Sequence, residues 1–329
     1  MTITAFLPEH IPAAAGLLAA QFQNFHRRFP ILPARMNEAA ITKNFLEALL
    51  QKNDTNGVAY LHNGKLAGYI IGSYSDNVFF GPHVWVPLGG AVLAPELPLD
   101  LLAGLYTQAG RKWIEDGILN HYLVSPALPE WLSLFQLLSF GQEQAYAVSS
   151  LAEELPDTPL PTGILIRKAE KQDEQALHDN AHWIAQHLNG APVWEPVPQE
   201  HLDNIRPGYA ELATDESAET WLAFDGNKMV AVVAIYTEDI GAEHLWGTPT
   251  AAHFAAAATH PDYRARGIGR ALFSHAINIS RTAGFECMFT DWRTTNLEAS
   301  RYWPTFGFQP FAYRLIRRIN PRYAPFDPA

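Results

Sequence analysis

The chain has 329 residues, 48% hydrophobic and 17% charged, a balance that supports two globular cores and excludes a disordered polypeptide. A formal net charge of −11 argues against nucleic acid or an acidic membrane surface as its main partner. No apolar run reaches membrane-spanning length, the N-terminus lacks a signal-peptide pattern, and the single cysteine, Cys287, excludes an internal disulfide; a cytoplasmic location is expected.

In chain order, Ile3 to Phe6 reads as a strand and Ile11 to Phe22 has helical apolar spacing. Val58 to Leu61 and Leu66 to Tyr74 flank His62-Asn63-Gly64, a hairpin signal. Residues 153–162, rich in proline and acidic side chains, read as a linker. Ile164 to Arg167 is then a short strand, Asp173 to Leu188 a helix, and Trp221 to Phe224 with Met229 to Tyr236 a second hairpin around Asp225-Gly226-Asn227. Between that helix and hairpin, Trp194, Glu195, His201 and Tyr209 fall among prolines, and read either as aromatic faces and carboxylates suited to an alkylammonium group or as a plain packed loop. Phe254 to Thr259 is a strand, Arg270 to Ala283 a helix, Cys287 to Thr290 a buried strand, and Asn296 an N-cap.

The order of elements repeats. Hairpin lysines Lys65 and Lys228 lie 163 residues apart, and Phe140 and Phe306 of two similar C-terminal segments lie 166 apart. This spacing predicts a duplicated α/β domain, with residues 1–152 and 163–329 as the two copies. The copies differ at one turn. In the second half, Arg264-Ala265-Arg266-Gly267-Ile268-Gly269 joins a strand to a helix, the arrangement that offers backbone N–H groups and a helix N-terminus to phosphate. Its counterpart, Leu97 to Leu102, has neither glycine nor arginine, and Glu96 and Asp100 would repel an anion.

Arg264 through Gly269, the approach His260-Pro261-Asp262-Tyr263, and the later block Asn296, Ala299, Tyr302-Trp303, Gly307-Phe308 together resemble the GNAT superfamily of acyl-CoA-dependent N-acetyltransferases. The resemblance implies an α/β (α+β) fold of two tandem GNAT-like domains. Each would have a mixed, mostly antiparallel sheet flanked by helices, and the N-terminal copy would be degenerate. It implies acetyl-CoA as co-substrate and no metal. Arg264, Ala265, Arg266, Gly267, Ile268, Gly269 and Arg270 would hold the pyrophosphate. Ala257, Ala258 and Thr259 would pair with pantetheine, and Asn296 would face the cofactor. Close helix–sheet packing is the competing explanation of the alanines.

The resemblance also implies a tyrosine that protonates the leaving thiolate, but Trp303 stands at that position. Tyr302, adjacent but expected to point elsewhere, and Tyr313 are the substitutes. Candidate bases are Glu238, Asp239, His253 and Asp291; Asp291 is also placed to fix a turn or to pair with Arg293. His178, His182 and His187 come nearest to a metal spacing without a ligand signature. The expected activity is transfer of acetyl to a primary amine of a small molecule by direct attack in a ternary complex, with Glu238 and Tyr302 as the catalytic candidates. The alternative is a non-catalytic acyl-CoA-binding or regulatory module. The chain is expected to be a monomer or homodimer, and a nucleoside-triphosphate site is excluded because the turn lacks a Gly-Lys-Ser/Thr ending.

Overall fold

The structure, a computed structural model, describes residues 2–52, 54–156, 158–237 and 245–324. Its first half runs β1 (Thr2–Ala5), α1 (Ile11–Arg28), α2 (Ala39–Gln51), β2 (Thr55–His62), β3 (Lys65–Ser75), β4 (His83–Val86), β5 (Ala91–Leu93), α3 (Leu101–Glu115), β6 (Asn120–Pro126), α4 (Pro129–Leu137) and β7 (Gly141–Ser150). The second runs β8 (Ile164–Lys168), α5 (Glu174–Asn180), α6 (His182–Asn189), α7 (Gln199–Glu211), β9 (Ala218–Asp225), β10 (Lys228–Tyr236), β11 (Ala251–Thr259), α8 (Ile268–Thr282), β12 (Cys287–Arg293), α9 (Leu297–Tyr302) and β13 (Gln309–Arg318). The order of elements is the same in both halves with two differences: three helices, α5 to α7, stand where the first half has α1 and α2, and β4 and β5 together stand where the second half has β11.

The chain forms two compact units, and they do not follow the linear division expected at residues 152 and 163. Of the described residues, unit 1 takes those within 2–146, 245–247 and 310–324, and unit 2 those within 147–237 and 248–309. In unit 1 the strand order is β1-β2-β3-β4-β6-β13, with β5 paired to β3. The last strand of the chain, β13, thus lies antiparallel to β6, from Ala312↔Pro126 to Arg318↔Asn120. In unit 2 the order is β8-β9-β10-β11-β12, followed by the end of β7. Ladder bonds are made by backbone, so residue pattern marks these segments as strands without saying which sheet receives them. The expected linker is also partly held: Leu155 exchanges N–H and C=O hydrogen bonds with the Asn278 amide of α8, at 3.0 Å each.

Both units are mixed, mostly antiparallel sheets flanked by helices. In unit 1, α3 buries Leu102, Leu105, Tyr106, Ala109 and Trp113, a helical stripe, against β2 and β3. In unit 2, Leu177 and Trp183 of α5 and α6 pack on Leu222, Phe224, Val232, Ala234 and Ala256, alternate residues of β9, β10 and β11. Helix α8 packs on β9, β10 and β11 through Ala271, Leu272, Ala276 and Ile277. The helix expected over Asp173 to Leu188 is two helices, parted at Ala181, and the expected loop around His201 and Tyr209 is largely α7. Pro198 at its N-cap and Pro207 inside it hide α7 from a reading of periodicity.

One buried ion pair fixes the start of unit 2. Asp173, 4% exposed, accepts from both Arg167 amino groups at 2.6 and 2.8 Å and from the Glu170 N–H at 2.8 Å. The Arg167 hydrogen bonds, followed by the Glu170 N–H, hold the Asp173 carboxyl below its ordinary range. A depressed folded-state pKa stabilises above the unfolded value of about 3.9, and that stabilisation is lost as pH falls through the folded value. Asp173→Asn is expected to cost about 2 kcal/mol in urea unfolding at pH 7, with the difference from wild type shrinking below about pH 4. A cost that is the same at pH 3 and pH 7 would contradict this assignment.

Candidate functional site

The site begins where two strands part. Strands β11 and β12 pair in parallel over only three positions, Ala251↔Cys287, Ala252↔Met288 and His253↔Phe289. On its other side β11 stays paired with β10 as far as Thr259, but the register shifts between Ile235↔Phe254 and Ala234↔Ala256, leaving Ala255 as a bulge. The bulge therefore falls just where the ladder to β12 ends. The His260 N–H donates to Val230 O at 2.8 Å, so in the alternating antiparallel pattern Ala258 and Ala256 turn their backbone groups to β10. Ala257 and Thr259 turn theirs to the open side. Ala258 pairs with Val232, and its side chain, with Ala256, packs on the helix-facing cluster.

The open strand leads into the arginine–glycine turn. Ala265 (φ 58°) and Gly267 (φ 81°) are left-handed, and Gly267 is the N-cap of α8. The first intrahelical bond there is Ala271 N–H to Gly267 O, 2.9 Å, so the N–H groups of Ile268, Gly269 and Arg270 have no carbonyl ahead of them in the helix. A methyl group on Gly269 would come within 2.9 Å of Thr259 Oγ1 and 4.0 Å of the Tyr302 hydroxyl oxygen. Glycine is required at 267 by conformation and at 269 by space. Three exposed arginines surround the turn. Arg264 Nε donates to Thr259 O at 3.2 Å, Arg266 lies 4.9 Å over the Tyr263 ring, and Arg270 donates to Thr305 Oγ1 at 2.8 Å. Tyr263 in turn donates to Asp225 Oδ2 at 2.8 Å, tying the turn to the β9–β10 hairpin.

Across the opening stands His187, considered at the sequence level only among metal spacings. Its Nδ1 faces Arg264 Nη1 at 3.3 Å and its Nε2 faces Asn296 Oδ1 at 3.5 Å. A neutral ring with hydrogen on Nε2 satisfies both contacts: Arg264 donates to Nδ1 and Nε2–H donates to Asn296. Asn296 caps α9 as expected, its Oδ1 accepting from Ala299 N–H at 3.1 Å. His187 is 77 residues from Arg264 and 109 from Asn296, so no local pattern could have grouped them.

Tyr302 and Trp303 belong to one aromatic cluster around Phe273. Trp303 is buried against Phe254, at the bulge, and Phe273, both with ring centroids at 5.0 Å. The Tyr302 ring meets the Trp303 ring edge-on at 5.0 Å between centroids and lies 6.4 Å from Phe273; its hydroxyl lies by Gly269, and burial pushes its pKa well above the ordinary tyrosine value. Glu238 and Asp239 lie outside the described residues. The ring of His253 stacks on Phe289, 5.3 Å between centroids, at the last paired position before the strands part. Tyr313 belongs to unit 1 through β13. Cys287 is buried and its thiol is pushed up to about 12, which removes it as a nucleophile. Arg293 pairs with Glu195, its Nε donating to Oε2 at 2.7 Å, both side chains 14% exposed. Glu195 thus ends its loop at β12. Among the described residues no three metal-binding side chains come together.

Comparison with known proteins agrees with this geometry. Residues 179–308 match the acetyltransferase (GNAT) family. The fold is shared along nearly the whole chain with a GCN5-related N-acetyltransferase from Sphaerobacter thermophilus: TM-score 0.64, 17% identity, 98% of this chain and 96% of that one. A tandem GNAT protein from the clavulanic acid biosynthesis pathway follows at TM-score 0.56 and 11% identity, covering 99% of each chain. The glucosamine N-acetyltransferase region of a fungal multi-domain GH3 β-N-acetylglucosaminidase aligns at TM-score 0.57 and 13% identity, over 96% of this chain and 38% of that one. No curated protein sequence is significantly similar to this one. The family match thus lies within the second half of the chain, and the solved structures show the fold that the chain shares with them.

Gly267→Asp places a carboxylate among the free N–H groups and a side chain at a left-handed position. Affinity for coenzyme A is expected to fall by at least ~2 kcal/mol, the scale of lost charge-assisted hydrogen bonds, while circular dichroism shows a folded chain. Unchanged affinity in the folded variant would move the anion site elsewhere.

Proposed function

We propose that the protein transfers an acetyl group from acetyl-CoA to a primary amine of a small molecule. The observation that carries this reading is the continuous path in unit 2 from the bulge at Ala255, along the outward backbone of Ala257 and Thr259, to the free N–H groups at Ile268, Gly269 and Arg270. It offers strand-like hydrogen bonding for an amide-bearing arm and then a cationic helix N-terminus for a pyrophosphate. Arg264, Arg266 and Arg270 add charge, and Asn296, held by His187, borders the same opening.

In the reaction the amine nitrogen forms a bond to the thioester carbonyl carbon and the C–S bond breaks. The amine proton leaves to a base and the sulfur departs as thiolate. The buried thiol of Cys287 supports direct attack over a covalent enzyme intermediate. A thiol with ordinary pKa near 8.5 leaves readily without a dedicated acid, in keeping with Trp303 at the position where a tyrosine is expected. The same Trp303 favours a second reading, a non-catalytic acyl-CoA-binding module. Release of free thiol from acetyl-CoA across a panel of primary amines separates the two. Amine-dependent turnover supports the enzyme, and tight binding without turnover on any amine supports the module.

Tyr302→Phe tests the acid directly. Because burial keeps the phenol protonated above its ordinary range, its titration should leave no mark on the pH–rate profile between about pH 6 and 10. One limb, for deprotonation of the acceptor amine, is expected. The substitution should cost less than about tenfold in kcat, against the 10²–10⁴-fold of a lost general acid. A loss of two orders of magnitude with preserved acetyl-CoA affinity would make Tyr302 the acid.

A further inference from the structure

Unit 1 has its own opening between strands, with different chemistry. Strand β4 pairs with β6 in parallel only as far as Val86↔Leu123. Beyond that point β5 is held by β3, from Ala91↔Ile70 to Leu93↔Gly68, while β6 continues along β13 to Pro126. Where the chains leaving β5 and β6 diverge, a cleft of about 490 Å³ opens against the C-terminal half of α1. That volume falls within the range of small-molecule sites, about 300–1,000 Å³.

A nucleotide does not fit its chemistry. The N-terminus of α3, which stands where α8 presents free N–H groups in unit 2, is already closed. Leu101, Leu102 and Ala103 donate to the carbonyls of Pro98, Leu99 and Asp100 at 3.1, 3.0 and 3.0 Å. The cleft walls are apolar instead, built from Phe22, Phe25, Leu97, Leu128 and Trp131. Charge comes from Arg27 and Arg28, in the last turn of α1 and both exposed, and from Glu130 of α4, the one carboxylate among the lining residues. Neither arginine has an ion-pair partner among the described residues. Deeper in the wall, Gln21 donates weakly to Ala91 O at 3.4 Å, and its Oε1 is buried with no donor. A buried acceptor without a donor is costly, and a water that donates to it relieves the cost.

We propose that this cleft is a second binding site, for a small carboxylate with an aromatic or branched apolar body. The body fills the space between Phe22, Leu97 and Trp131, and the carboxylate meets Arg27 and Arg28. The site rests on unit 1 alone and does not depend on acetyl transfer in unit 2.

The test uses 4-phenylbutyrate and its uncharged analogue 4-phenylbutanol, titrated into the full chain by calorimetry. Wild type is expected to bind the carboxylate with Kd below ~1 mM and at least about tenfold more tightly than the alcohol. Arg27→Glu with Arg28→Glu, both on exposed surface, should abolish that preference while the alcohol still binds. Leu97→Asp, which puts a carboxylate into the apolar wall, should weaken both ligands. Absence of carboxylate binding, equal affinity for the two probes, or a preference that survives in the double variant would each overturn the proposal.

Discussion

Everything distinctive in unit 2 depends on the parting of β11 from β12 after three paired residues. A strand normally satisfies its backbone on both sides, and an unsatisfied row of N–H and C=O groups is an exposed edge. Here the Ala255 bulge lets β11 keep its ladder with β10 while leaving its other side open. The open backbone of Ala257 and Thr259 runs straight to a helix whose first N–H groups are also free. Two kinds of hydrogen-bonding capacity are thus joined end to end, one strand-like, with Arg264 already donating to Thr259 O, and one helical. Gly267 and Gly269 make the join possible, one by its left-handed conformation and the other by its closeness to Thr259.

Unit 1 is built on the same plan, and the contrast between the two is chemical. Its strands also diverge, but a turn of Leu, Pro and Asp residues folds back on itself and uses up the N–H groups of α3. Arginines are moved from the strand-to-helix turn to the end of α1, and the cleft between is lined with apolar side chains. One architecture therefore carries a turn with free N–H groups beside three arginines in one unit and an apolar cleft bordered by two arginines in the other.

Much of this was legible in the sequence because its causes are local. Asn63-Gly64 and Asp225-Gly226 dictate their hairpins through positive φ at Asn63, Gly64 and Gly226. The glycine spacing in 264–269 states its own conformational need, and Asn296 its capping role. The rest was hidden by distance or by misleading residues. His187 reaches Arg264 and Asn296 only through the fold, and the Tyr263–Asp225 bond joins residues 38 apart. The prolines at 198 and 207 masked α7. The lodging of β13 in unit 1 is decided by backbone pairing that side-chain pattern does not encode.

The central claim is that the difference between the two strand-to-helix turns confines coenzyme A to unit 2. Calorimetric titration of the full chain with acetyl-CoA measures it directly. The account predicts a stoichiometry near one per chain; a stoichiometry near two, with the second site surviving Gly267→Asp, would contradict it.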